Sequence, residues 1–197
     1  MCPGRTVAYP PFALAPQTMK LLDLEHARTT AFPQALPLAA AVAASVTVLS
    51  AMRPHGPWLA LLPCALGGLV LWTLLEYVLH RFLLHRVEPF RRWHLEHHRA
   101  PEQPMRTPLV FNAMLLAGLV GAPLVLTGDR WLATGITLGL IAGHLAQEIV
   151  HHVVHRPGVR GRWLDARARQ HDLHHHQCAE RAYGTLTWVW DRLFGTA

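Results

Sequence analysis

The chain has 197 residues, of which 51% are hydrophobic, and it carries a formal net charge of +6. This length fits one domain or one membrane unit and excludes a second large core. The charge could indicate nucleic acid, but the basic residues flank apolar runs and no nucleic-acid motif is present. We therefore expect a membrane surface and no nucleic-acid partner.

Four apolar stretches, in chain order, are each about as long as a membrane-spanning helix. Residues 1–30 precede them and are expected to form an irregular, interfacial lead-in, and residues 31–197 are expected to form one membrane domain. The short turns within each pair predict two helical hairpins, although a soluble bundle of buried helices remains an alternative. The predicted spans are 31–52, 57–79, 109–127 and 131–150.

The basic residues give the hairpins an orientation. Only Arg53 and Arg130, of the 18 lysines and arginines, lie in the two predicted turns. Because positive residues concentrate on the cytoplasmic side, both termini and the polar segments 80–108 and 151–197 are expected in the cytoplasm. The predicted fold is all-α, with four membrane helices under a cytoplasmic helical cap.

Histidines are unusually frequent, at 15 in the chain, and four groups of them fall in or beside the predicted cap. Spacings of three and four predict that each of the last three groups aims several imidazoles at one point. His80 and His85 are five residues apart, about 140° on an α-helix, so they serve different metals or the helix breaks between them. The groups are His80 and His85; His94, His97 and His98; His151, His152 and His155; and His171, His174, His175 and His176.

These histidines outnumber what one metal ion can bind, so the sequence predicts two ions. Glu76 lies one turn before His80, and Glu148 lies three residues before His151. Either carboxylate could accept the second ring N–H of a ligand and fix its tautomer. One simpler alternative is that these histidines are only polar residues at the membrane surface. Another is a histidine tract that stores zinc, but such tracts are usually low-complexity loops.

The spacing HX4H, HX2HH, HX3H, HX2HH resembles that of the fatty acid hydroxylase and sterol desaturase superfamily, integral-membrane enzymes with a histidine-rich dimetal site. Residues 76–85, EYVLHRFLLH, look like a signature of its fatty acid 2-hydroxylase branch. Residues 183–196, YGTLTWVWDRLFGT, are similar to the stretch that follows the last histidine box there. The resemblance runs from about residue 57 to residue 196.

The resemblance implies a ligand set and several further site residues. His144 stands where the family pattern suggests an aromatic residue, so it is expected to line a pocket or pack. His152 and His176 are adjacent to ligands and are expected in supporting or solvated roles. Asp191 is a further possible site residue. The implied ligands are His80, His85, His94, His97, His98, His151, His155, His171, His174 and His175.

The activity implied by the resemblance is O2-dependent hydroxylation of a lipid C–H bond, most simply in a fatty acyl chain, at two irons. Zinc could occupy the sites in purified protein, because affinity alone favours zinc over ferrous iron. The short lead-in leaves no room for a fused cytochrome b5 domain, so a separate donor such as a ferredoxin or cytochrome b5 is expected on the basic cap. Trp72, Phe82 and Met114 are the expected walls of the lipid pocket.

Several alternatives remain open at this point. The short link between His85 and His94 also resembles that of carotenoid hydroxylases, and a sterol or carotenoid hydroxylase or a desaturase could use the same ligands. A zinc hydrolase is disfavoured, because catalytic zinc generally has three protein ligands. A metal-binding or transport protein should carry ionisable residues deep in its spans, where only His144 and Glu148 qualify.

Overall fold

The computed structural model describes residues 58–101, 103, 108–156, 158 and 161–197. The predicted lead-in and the first predicted span lie outside the described residues. Within the described ranges the chain is all-helical and contains no β-strand, as predicted. The α-helices are α1 (Leu61–Val78), α2 (Phe90–Arg99), α3 (Leu109–Thr127), α4 (Arg130–Val154), α5 (Arg162–Asp172) and α6 (Val189–Leu193).

Three long helices are apolar enough to cross a bilayer: Leu61–Leu84, Val110–Thr127 and Arg130–Val154. They correspond to the second, third and fourth predicted spans. Large apolar side chains on their outer faces are exposed, as hydrocarbon-facing side chains would be. Two of these helices continue beyond the predicted span ends, through Leu84 and Val154, so they carry histidines of the predicted cap on rigid helices.

Helices α1 and α4 pack closely because glycines face the partner backbone. A Cβ atom added to Gly139 would overlap the carbonyl oxygen of Ala65, and one added to Gly143 would lie 2.6 Å from the Trp72 Cβ. Small residues are the usual means by which membrane helices approach each other closely. The packing brings the polar ends of α1 and α4 side by side.

A two-residue link joins α3 to α4. Gly128 ends α3 with a φ of 63°, a left-handed conformation that glycine adopts without steric cost. Asp129 then caps α4, because its Oδ1 accepts hydrogen bonds from the backbone N–H groups of Trp131 at 2.7 Å and Leu132 at 3.0 Å. The link starts α4 immediately, and α3 packs against it.

The C-terminal segment returns to α1. The indole N–H of Trp190 donates to Thr73 Oγ1 at 2.9 Å, and the Phe194 ring stacks on Tyr77 with centroids 5.4 Å apart. Cys178, just before this segment, is disulfide-bonded. The scattered positions of the cysteines in the sequence do not indicate a disulfide, because sequence spacing does not report spatial proximity. The returning segment lies directly over the polar end of α1.

Candidate metal centre

The ten histidines predicted as ligands assemble into two groups of five. In each group the ring nitrogens that could bind a metal all lie within 4.8 Å of one another. The first cluster is His80, His85, His94, His98 and His174. The second cluster is His97, His151, His155, His171 and His175.

The phase of the helices divides neighbouring histidines between the clusters. His94 and His98, four residues apart, share the first cluster, whereas His97 belongs to the second. The last motif divides in the same way, with His171 and His175 in the second cluster and His174 in the first. The prediction that each of these two motifs aims at a single point is therefore wrong. On an α-helix, offsets of three and four residues lie at about −60° and +40° from the starting residue, and this difference of about 100° is enough to select a different ion.

His80 and His85 share a cluster because the helix between them changes type. Residues Leu79–Leu84 form a π-helical segment that continues α1. Its i→i+5 pattern places residues five apart near one another, and the two rings lie with centroids 5.1 Å apart. Of the two alternatives for this pair, binding to different metals is wrong, and the structure contains a local change of helix geometry between them.

The ring nitrogens converge too densely to be satisfied by hydrogen bonds alone. His94 Nε2 lies 2.9 Å from His80 Nε2 and 3.0 Å from His98 Nε2. In the second cluster His151 Nε2 lies 3.1 Å from His97 Nε2 and 3.2 Å from His155 Nε2. A ring nitrogen carries either one proton or one lone pair, so it cannot serve two such neighbours. Lone pairs directed at a common cation account for the arrangement.

The spacing of these nitrogens fits transition-metal ions. Two imidazole ligands bound at about 2.1 Å and at right angles to each other have nitrogens about 3.0 Å apart. The observed separations of 2.9 to 3.2 Å match that value in both clusters. All-nitrogen donor sets suit iron, zinc and copper. The residues present therefore fit two such ions.

Burial keeps these imidazoles in the neutral form that binds metals. Burial, with neighbouring histidines as a smaller cause, lowers the pKa of His97 to about 3 and that of His98 to about 4. The pKa of His85 falls to about 2, with burial as the larger cause and His174 as the next. At neutral pH these rings are uncharged and their lone pairs are available.

Backbone carbonyls fix the tautomers of two ligands in the first cluster. His80 Nδ1 lies 2.6 Å from the carbonyl oxygen of Tyr183, and His174 Nδ1 lies 2.6 Å from that of Arg181. A carbonyl oxygen can only accept, so the proton of each ring must be on Nδ1. Nε2 is then unprotonated and directed at the cluster. The two carbonyls flank Ala182, whose φ of 56° is rare for a residue other than glycine.

Two buried carboxylates hold the loop, residues 181–185, that carries those carbonyls. Asp191, which is 0% exposed, accepts at Oδ1 from the N–H of Tyr183 and at Oδ2 from that of Gly184, both at 2.9 Å. Glu76 Oε1 accepts from the N–H of Thr185 at 2.7 Å. Both acidic residues thus act on the ligands through the backbone.

The remaining predicted residues lie at different distances from the clusters. Glu76 does not take the predicted histidine N–H, because its bonded oxygen faces the loop. Glu148 and His144 line a cavity beside the clusters. His152 and His176 are exposed and belong to neither cluster.

The cavity has a volume of about 100 Å³ and lies between α1, α3 and α4. His80 and His94 of the first cluster and His151 of the second form part of its wall. Trp72 lines it as predicted, whereas Phe82 and Met114 do not and are 45% and 69% exposed. The apolar lining is Trp72, Leu79, Leu84, Phe111 and Leu115, and the polar lining beyond the histidine clusters is Glu76, Asn112, His144, Gln147, Glu148 and Thr185.

Comparison with known proteins identifies the family of the chain. Residues 65–196 match the model of the fatty acid hydroxylase family. The chain belongs to that family. Its relatives include a dihydroceramide fatty acyl 2-hydroxylase of Arabidopsis thaliana, 31% identical over 139 residues, which are 66% of this chain and 58% of that protein. A fatty acid 2-hydroxylase of Macaca fascicularis is 30% identical over 142 residues, 66% of this chain and 38% of that protein.

The hydroxylase family also supplies a structural neighbour. The visible hydroxylase domain of full-length scs7p has a TM-score of 0.65 and 24% identity, covering 81% of this chain and 62% of that one. This likeness supports the fold. The chain spans less than two thirds of the length of the two curated relatives.

Sequence reasoning missed several residues that build the centre of this family member. Arg181 and Tyr183 act through main-chain oxygens, which no side-chain motif reveals. Asn112 and Gln147 are polar residues within apolar helices that reach the cavity. A polar residue inside a candidate span is the signal that could have found the latter two.

Proposed function

We propose that the chain is an O2-dependent lipid hydroxylase that oxidises a C–H bond of a fatty acyl chain. One observation carries the proposal: ligands of both histidine clusters, His80, His94 and His151, line one cavity between candidate membrane helices. Two bound irons, with electrons from an external donor, would supply the activation of O2 that oxidation of an unactivated C–H bond requires.

The cavity walls bind and position the hydrocarbon. Leu79, Leu84, Phe111 and Leu115 present apolar side chains beside the histidines. A chain bound against them displaces water from the space next to the clusters, because an apolar wall holds water poorly. The bound carbon is thereby held near the metal ligands rather than free to move in the bilayer.

The C-terminal loop keeps the first cluster ready for metal. His80 and His174 each hold their proton at Nδ1, where it is donated to a loop carbonyl. That arrangement orients both rings and leaves Nε2 as the metal donor throughout. Asp191 and Glu76 hold the loop in place by accepting its N–H groups.

Substrate, topology and partners follow as parts of the same proposal. The names of the relatives favour an acyl chain, either in a ceramide-like lipid or in a fatty acid. Residues 31–197 would form one domain with four membrane helices in two hairpins, and the histidine cap and both termini would be cytoplasmic. A ferredoxin or cytochrome b5 would dock on the basic cap. Iron is the working metal, although zinc would also bind.

The test is mass spectrometry of total lipids from iron-supplied cells that express the wild type or the His94→Ala variant. Lipids heavier by one oxygen should appear only with the wild type. His152→Ala is the matched control, because His152 is exposed and outside both clusters. Loss of two hydrogens would identify a desaturase instead. No oxidised lipid from a folded, iron-loaded wild type supplied with a reductant would contradict the proposal.

A further inference from the structure

Apart from the metal ligands, three side chains of the cavity wall each have a buried polar atom with no hydrogen-bond partner. These atoms are Trp72 Nε1, Glu76 Oε2 and His144 Nδ1. Trp72 is 1% exposed and Glu76 is 4% exposed. A buried polar atom without a partner is costly, so such atoms call for a ligand or a water.

The three side chains are neighbours. Trp72 and Glu76 are four residues apart on α1 and therefore lie on one face of that helix. His144 faces them from α4, with its ring centroid 4.7 Å from that of Trp72. The side chains that carry the unpartnered atoms are therefore neighbours in the cavity wall, and together they form a polar patch.

We infer that this patch is a subsite for a hydroxyl group of the lipid substrate, an inference that rests on the proposed hydroxylase function. The indole N–H can only donate, whereas Glu76 Oε2 offers an acceptor beside an Oε1 that already binds the loop. A hydroxyl oxygen accepts one hydrogen bond and donates another through a single atom, as this pair requires. His144 Nδ1 can take either role towards the same oxygen.

Other lipid groups fit the patch less well. A hydrocarbon chain alone leaves all three atoms unsatisfied, and an ionised carboxylate only accepts hydrogen bonds, so it would offer Glu76 Oε2 no donor. The N–H and C=O of a trans amide point in opposite directions, so one amide cannot meet two side chains on the same helix face. Water is the remaining competitor, since a polar site of this size can hold it.

The subsite would select the carbon that is oxidised. Glu76 precedes the metal ligand His80 by four residues, which is about 6 Å along a helix. A hydroxyl bound between Trp72 and Glu76 fixes the start of the chain that continues towards the first cluster. The oxidised carbon would therefore lie at a set number of bonds from that hydroxyl.

Binding of matched lipid pairs to the full chain in nanodiscs tests the inference. Three probes place the hydroxyl in different lipids: N-palmitoyl sphinganine, methyl 3-hydroxypalmitate and cholesterol. Each is compared with an analogue that lacks the hydroxyl groups. For at least one pair the wild type should bind the hydroxyl lipid about tenfold more tightly than its analogue, the scale expected for one buried hydrogen-bonding group.

The Trp72→Phe variant removes only the indole N–H donor while keeping an aromatic ring. It should bring the affinity ratio close to one without changing the affinity for the analogue, and His144→Phe should also lower the ratio. Trp163→Phe is the control, because Trp163 is 54% exposed on α5 and should leave the ratio unchanged. Metal content equal to that of the wild type verifies that each variant is folded.

Two results would overturn the inference. One is a wild type that binds no hydroxyl lipid more tightly than its analogue, which would leave water as the occupant of the patch. The other is a Trp72→Phe variant that weakens both members of a pair equally, which would assign Trp72 a packing role. Lipid oxidation without hydroxyl discrimination would overturn only this inference, whereas discrimination without oxidation would overturn only the proposed function.

Discussion

Replacement of Asp191 by asparagine should release one of two metal ions and leave the other. The Asp191 carboxylate accepts from two backbone N–H groups at 2.9 Å and from the Thr196 hydroxyl at 2.8 Å. Asparagine has nearly the same shape but only one acceptor oxygen. Its amide NH2 group must therefore face a backbone N–H, so that two donors meet. The loss of one charge-assisted hydrogen bond costs about 1.5–3 kcal/mol, and a buried donor is left unsatisfied.

That cost falls on the loop whose carbonyls orient His80 and His174, which both belong to the first cluster. Loss of an outer partner typically weakens metal binding about 10- to 100-fold. We therefore expect the first cluster of Asp191→Asn to bind metal 10- to 100-fold more weakly. Neither of the two rings that bind these carbonyls belongs to the second cluster, which should keep most of its affinity.

The assay is the number of metal ions per chain, measured by mass spectrometry after dialysis against a graded chelator. Wild type should retain two ions at chelator concentrations where Asp191→Asn retains one. Asp172→Asn is the matched control, because the Asp172 side chain is exposed and its Oδ1 lies 3.7 Å from Nε2 of His176, which is outside both clusters. An Asp191→Asn protein that retains both ions like the wild type, or loses both together, would refute the reasoning.

Two further predictions concern the division of the histidines and the packing of the helices. His85 and His98 share a cluster, so the variant lacking both should keep one metal ion per chain. His97 and His98 belong to different clusters, so the variant lacking those two should keep none. Equal metal content in the two variants would contradict the assignment. Gly139→Ala should lower the melting temperature in detergent, since its Cβ would overlap a carbonyl oxygen of α1. Gly118→Ala has open space and should raise it slightly through helix propensity, so similar shifts for both variants would argue against close packing.

The helical fold of the described residues could be predicted from apolar run length alone, but the helix ends could not. Composition ends the second span near residue 79 because His80 and Arg81 are polar. The structure continues the helix through Leu84, and α4 likewise continues to Val154. The histidines there face ring neighbours inside the protein, so polarity does not end the helix.

The ten clustered histidines could be identified from motif spacing, but their division between two clusters could not. Spacings of three and four look equivalent in a motif, and only the packing of α2 against the other helices decides which ion each residue faces. A π-helical segment has no sequence signature that would pair His80 with His85. The left-handed conformation of Ala182 could not be predicted either, since alanine seldom adopts it and Gly184, two residues later, is the residue type that favours it.

The interleaving of the clusters has a consequence for how the protein acquires metal. Consecutive residues, His97 with His98 and His174 with His175, belong to different clusters. Whichever ion arrives first must immobilise the backbone of both pairs, so the second ion meets segments whose conformational entropy has already been lost. Metal uptake should therefore be weakly cooperative: the second ion binds somewhat more tightly than the first, while one occupied cluster still holds its ion alone.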